Sequence, residues 1–214
     1  MRIFKIFLIV LYDNDMNSLF MRVPFNDYHS TIVRTKYKYI LTTNYDTLLE
    51  EAARKQGFRD LMKRVYGYKE LDKISEAIYT EEPAIIHMHG IATDILLEEF
   101  VLTADDYKKI KDKNPGFRSL LNSLFMSYSF LMVGYGGSDP HLEDVINDIN
   151  LSLQWDYSNL SLPTYYLVLR NDKVSPIQDH IKNRNRTHII AVDSYDDVLT
   201  LLTHLSNVYP RQSG

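Results

Sequence analysis

Short apolar runs alternate with longer segments of helical spacing along most of the chain. The clearest runs are Tyr39 to Thr43, Ala84 to His89, Phe130 to Gly134, Thr164 to Leu169 and His188 to Val192. Each has the length of a strand and is rich in β-branched or aromatic residues. Between and after them, helices are predicted over Asp46 to Gln56, Asp105 to Lys111, Phe117 to Tyr128, Asp139 to Leu151 and Tyr195 to Val208. Asp139 followed by Pro140 is a good helix start, because an acidic cap meets the orphan N–H groups and proline tolerates the first turn. The last helix follows Asp193-Ser194 and sets Val198, Leu201, Leu202 and Leu205 on one face, so it should close the domain. Strand and helix in alternation predict an α/β fold: a Rossmann-like, mostly parallel sheet flanked by helices.

The opening run from Ile3 to Tyr12 has the positive flank of a signal peptide, in Arg2 and Lys5, but Asp13-Asn14-Asp15 follows with no small-residue cleavage site. It reads as a buried strand or core helix. The stretch from Gln154 to Pro163 is polar, aromatic and poorly periodic, which is a loop and no domain boundary. The division expected is an atypical N-terminal segment 1–23, one Rossmann-like domain over 24–208 and a tail 209–214.

Composition narrows the partners. The chain has 214 residues, 45% of them hydrophobic, enough for one sizeable core. Its 28 acidic and 24 basic residues are spread along the sequence with a formal net charge of -4, so no basic stripe follows a phosphate backbone. Neither direct nucleic-acid contact nor a membrane span is expected. With no cysteine, disulfides, a cysteine nucleophile and thiolate zinc sites are all excluded, and a cytoplasmic setting is compatible.

In open α/β sheets ligands bind beyond the carboxyl ends of the strands, and three runs end in unusual chemistry. The first continues as Thr42-Thr43-Asn44-Tyr45-Asp46, the second as His87-Met88-His89-Gly90, the third as Gly134-Tyr135-Gly136-Gly137-Ser138-Asp139-Pro140. A glycine-rich turn into a helix offers backbone N–H groups to a phosphate or ribose oxygen, although a tight turn capped by Asp139 accounts for the same residues. Asn44 and Asp46 suit a sugar hydroxyl and a carboxamide, and are equally ordinary capping residues. His87 and His89 alternate onto one face, as a metal pair would, while a single imidazole at a strand end suits a general base.

Taken in order, these motifs, together with Leu102-Thr103-Ala104-Asp105-Asp106-Tyr107, resemble the sirtuin superfamily. The similarity is greater to the cysteine-free sirtuin-like domains of bacterial defence systems than to the protein deacylases. It extends weakly forward to Pro24 and His29 and backward to the final helix. The resemblance implies NAD as substrate and an NAD hydrolase (NADase) activity in antiviral defence that releases nicotinamide and ADP-ribose, without zinc. It implies His89 as catalytic base and Asn44 positioning the ribose and the attacking water. Asp46 would lie near the nicotinamide, and Gly134, Ser138 and Asp139 would line the ribose and phosphate side. Thr43 would stand where deacylases carry Gln, and His87 would be a supporting neighbour. An effector or sensor protein partner, or a homo-oligomer, belongs to the same expectation.

The family begins with a strand and a Gly-Ala-Gly-x-Ser turn, yet the first glycine here is Gly57. The expectation is a chain truncated at its N-terminus or started internally, lacking that strand and turn, with the apolar opening replacing part of the missing layer. Other functions stay open: a catalytically degenerate interaction module, a His/Asp metallohydrolase using His87, His89 and Asp139, and an NAD-dependent protein deacylase.

Overall fold

The computed structural model describes residues 6–10 as backbone, and residues 24–91, 101, 106, 108, 114–134, 144–147, 162–170 and 187–212. Seven strands form one parallel sheet: β1 (Ile6–Val10), β2 (Tyr39–Thr42), β3 (Val65–Gly67), β4 (Ala84–His87), β5 (Ser129–Val133), β6 (Thr164–Leu169) and β7 (Thr187–Val192). Their spatial order is β3-β4-β2-β1-β5-β6-β7. The named helices are α1 (Asp27–Arg34), α2 (Leu48–Lys55), α3 (Arg59–Met62), α4 (Leu71–Tyr79), α5 (Pro115–Ser127) and α6 (Tyr195–Val208).

Period-two alternation sends successive side chains of a strand to opposite faces, and a parallel sheet buries both. Tyr39, Leu41, Ala84, Ile86, Phe130 and Met132 face one cluster, closed by Ile74 and Ala77 of α4 and by Phe117, Leu121 and Phe125 of α5. Ile40, Ile85, Leu131, Val133 and Leu167 face the other, beneath Ile32 and Val33 of α1, Leu49, Ala52 and Ala53 of α2, and Val198 and Leu202 of α6. The sheet is thus covered on both faces. The buried line predicted for the last helix is largely what packs: Val198 and Leu202 are buried, with Leu201 and Leu205 half-buried beside them. Ser194 and Asp197 form its capping box.

The opening run is a strand, and a central one. Leu8 pairs with Ile40 on one side and Leu131 on the other. The expectation of a missing first strand is corrected accordingly: an uninterrupted apolar run suits a strand paired on both edges in the middle of a parallel sheet, and Ile6–Val10 takes that position. At β1 the strand order reverses, with β2 to one side and β5 to the other, which makes its carboxyl end the switch point where such sheets bind ligands.

Asn26 opens α1 as a capping box with His29, and Arg211 closes its far end. The guanidinium donates to the carbonyls of Val33, Thr35 and Tyr37 at 2.9, 3.2 and 2.7 Å. Residues 209–212 are laid alongside, with Lys36 N–H donating to Tyr209 O and Arg211 N–H to Arg34 O. The helix expected from Asp105 to Lys111 lies almost wholly outside the described residues. Of that expected from Asp139 to Leu151, residues 144–147 are described and helical.

Candidate functional site

Beyond Thr42 the chain leaves the β2 ladder, so the backbone of Asn44 has lost its strand partners and must be fixed otherwise. Two side chains do this. The Asn44 N–H donates to Thr42 Oγ1 at 3.0 Å, and the Asn44 carbonyl accepts from His87 Nδ1 at 2.9 Å. Asp46, two residues on, accepts the Leu48 N–H, the first of α2, at 3.1 Å.

His87 ends β4, one strand over, and is fully buried. A carbonyl oxygen only accepts, so Nδ1 carries a hydrogen. Nε2 lies 2.8 Å from Glu50 Oε1 on α2, whose side chain is also buried. Burial alone would push the imidazole below its usual range. The bond to Glu50, the charge of that carboxylate, the Asn44 carbonyl and Asp46 more than offset it, and the net displacement is upward. His87 is therefore held toward its charged form with both ring nitrogens engaged. This corrects the metal-pair alternative: a ligating imidazole needs a free lone pair, and His87 has none to offer beside His89. Among the described residues no group of three or more His, Asp or Glu side chains stands ready for a metal ion.

His89 follows two residues later on the same side of the sheet and is 3% exposed. Its ring lies 6.5 Å from that of Tyr45, centroid to centroid. The Tyr45 hydroxyl donates to the Val101 carbonyl, and Val101 N–H donates back to His89 O, which ties the loops after β2 and β4 through one residue. Gly90 then takes a φ of 105°, in the region where a side chain is strained. Gly134, after β5, likewise has a positive φ of 71°.

The structure thus gathers Asn44, Tyr45, His87 and His89 at the carboxyl edge, on the β2 and β4 side of β1. Gly134 lies on the other side of β1. Three strand spacings separate β4 from β5, about 14 Å. Thr43 is half-buried in the same loop as Asn44. Ser138 and Asp139 lie outside the described residues. The sequence reading missed Glu50. A signal existed, since helical spacing sets this residue on the buried stripe of α2 with Leu49 and Ala53.

Residues 38–201 match the model of the SIR2-like domain family. The chain is also similar to proteins named NAD(+) hydrolase ThsA. It is 22% identical to that of Enterococcus faecium, over 92% of this chain and 44% of that protein. To that of Cytobacillus dafuensis it is 27% identical, over 87% and 40%. A protein of Bacillus subtilis named defense-associated sirtuin 2 is 25% identical over 58% of this chain and 12% of its own length. The chain spans less than half the length of each of these relatives. With the family model covering most of the sequence, and its strands, order and strand-end residues laid out as above, the chain belongs to the SIR2-like domain family.

Proposed function

We propose that this protein hydrolyses NAD to nicotinamide and ADP-ribose, and that it does so in bacterial antiphage defence. The observation that carries the proposal is that Asn44 and His89 follow the neighbouring strands β2 and β4 at the carboxyl edge, beside the switch point of a parallel sheet. The names of the relatives, NAD(+) hydrolase and defense-associated sirtuin, support it. A cytoplasmic setting, an effector or sensor partner and self-assembly belong to the same proposal. Among the described residues no helix is long and apolar enough to cross a membrane.

The bond to be broken joins the ribose C1′ to the nicotinamide nitrogen. Its electrons leave with nicotinamide, and C1′ acquires oxocarbenium character. Water then adds to C1′ and gives up one proton, so that NAD and water yield nicotinamide, ADP-ribose and a proton. In this scheme the Asn44 side chain orients the ribose and the water, and the His89 imidazole takes the proton. Thr43 and Asp46 border the nicotinamide end, and Gly134, with Ser138 and Asp139 after it, the ribose and phosphate side. Asn44 and His89 are 8% and 3% exposed. Groups so enclosed act in a medium of low dielectric, where dipoles aimed at a developing charge count most.

The test is to incubate the purified protein with NAD and follow nicotinamide and ADP-ribose by chromatography. His89→Ala and Asn44→Ala should each lower turnover by about a hundredfold or more, the usual contribution of a positioned acid-base group. A folded wild-type protein that forms no product, and shows no saturable NAD binding, would instead point to an interaction module. The absence of any glycine before Gly57 favours that second reading, because no glycine turn follows β1 to donate to a pyrophosphate.

A further inference from the structure

Three side chains, of Thr42, His87 and Glu50, form a chain of contacts around Asn44 that the hydrolytic chemistry itself does not use. Thr42 Oγ1 holds the Asn44 N–H, His87 Nδ1–H holds the Asn44 carbonyl, and Glu50 Oε1 holds His87 Nε2. Each belongs to a different support: β2, β4 and α2. Both backbone polar groups of Asn44 are thus fixed by side chains, which leaves the residue little freedom to rotate as a unit.

The Glu50–His87 contact is poorly suited to a purely stabilising role. Both side chains are buried, and taking two ionisable groups out of water is costly unless every polar atom is satisfied. Glu50 Oε2 is buried without a hydrogen-bond partner. Apolar residues of similar volume would fill the same space beneath α2 at lower cost. What they could not do is present an N–H, in a fixed direction, to the carbonyl of Asn44.

We propose that the buried Glu50–His87 pair is the positioning device of the site: Glu50 orients the imidazole, whose Nδ1–H pins the Asn44 carbonyl and thereby aims the Asn44 side chain. The proposal rests on reading Asn44 as the group that orients ribose and water. Glu50 and His87 are positioning residues, and neither needs to touch the substrate.

The chemistry of the pair dictates the variants. In Glu50→Gln the amide donates to the Nε2 of a neutral His87, whose Nδ1–H still meets Asn44, so the geometry survives while the charge goes. In the double variant His87→Gln/Glu50→Gln a neutral amide pair fills the buried space. The amide introduced at position 87 then reaches the place of Nε2 and offers no donor where Nδ1 stood. The full-length wild type and both variants are assayed for NAD hydrolysis, with circular dichroism as the check of fold. Glu50→Gln should keep kcat within about threefold, whereas the double variant should lose at least tenfold in kcat with KM changed less than about threefold. A folded double variant with the kcat of Glu50→Gln would overturn the proposal.

A second readout is independent of activity. With ¹⁵N-asparagine labelling, the side-chain amide of Asn44, assigned by its loss in Asn44→Ala, should give one sharp pair of signals in wild type and Glu50→Gln. In the double variant it should be broadened or split. Unchanged Asn44 signals there would overturn the pinning, even with a wild type that hydrolyses no NAD. Altered signals in an inactive protein would keep the pinning and refute only the NAD chemistry.

Discussion

Arg211 lies far along the sequence from β2 yet anchors the segment that leads into it. Its guanidinium donates to three carbonyls, of Val33, Thr35 and Tyr37, at 2.7 to 3.2 Å. Burial pulls its pKa down to about 10, which still leaves it charged at neutrality. Hydrogen bonds to a charged group contribute about 1.5 to 3 kcal/mol each, and the three share one donor group and are not additive. The Thr35 carbonyl also accepts from the Tyr37 N–H and is not stranded by the loss. Arg211→Ala should therefore cost about 2 to 4 kcal/mol, out of the roughly 5 to 15 kcal/mol typical of a domain. Urea denaturation followed by circular dichroism is the assay. With an m-value of about 2 to 3 kcal/mol/M the midpoint should fall by about 0.7 to 2 M at unchanged m. Arg211→Lys, with one compact ammonium in place of the fork, should recover only part. A shift in Arg211→Ala below about 0.5 kcal/mol would refute the reasoning and mean that water replaces the guanidinium without loss.

Two further outcomes follow from local chemistry. Gly90→Ala forces a side chain onto a φ of 105°, which should cost about 1 to 3 kcal/mol by thermal or urea unfolding and lower NAD turnover by displacing His89; an unchanged melting curve would contradict it. Stability against pH separates two buried histidines. Burial lowers His29, only partly offset by Asp46 and Glu50, so its share is present above the unfolded pKa of about 6.5 and is lost as pH falls through the lower folded value. For His87 burial also acts downward, but Glu50 outweighs it, so its share is full below about 6.5 and is lost as pH rises through the higher folded value. His29→Gln should then lose unfolding free energy as pH rises above about 6.5, whereas His29→Gln/Glu50→Gln should gain it as pH rises toward about 6.5 from below; equal slopes in the two would exclude Glu50 as the cause.

The strands were legible where an apolar run was long enough to show its period, and β2, β4, β5, β6 and β7 all stand where that pattern set them. β3 was not, because Val65-Tyr66-Gly67 is too short to display alternation and its pairing comes from β4. α4 escaped for another reason: only Ile74 and Ala77 of its nine residues are buried, too sparse a stripe to read. The opening run was ambiguous between strand and helix, and only its two partners decide it. At the site, Asn44 and His89 were found through their order among the strand ends. Glu50 stood beside Glu51 in a helix rich in charge, and the two look alike in one dimension. One is 4% exposed and bound to His87 while the other faces water.

The central place of β1 bears on how the molecule is made. Ile6–Val10 leaves the ribosome before the other six strands, and its partner on one side, Tyr39–Thr42, follows soon after. The partner on the other side, Ser129–Val133, is translated about 120 residues later, a delay of about 6 to 24 s at ordinary synthesis rates. For that interval a wholly apolar strand presents an open row of backbone donors and acceptors to its surroundings, the condition under which nascent chains pair with the wrong neighbour. Slowing translation before Ser129 should then raise the insoluble fraction of the newly made protein, and a chaperone that shields extended apolar segments should lower it.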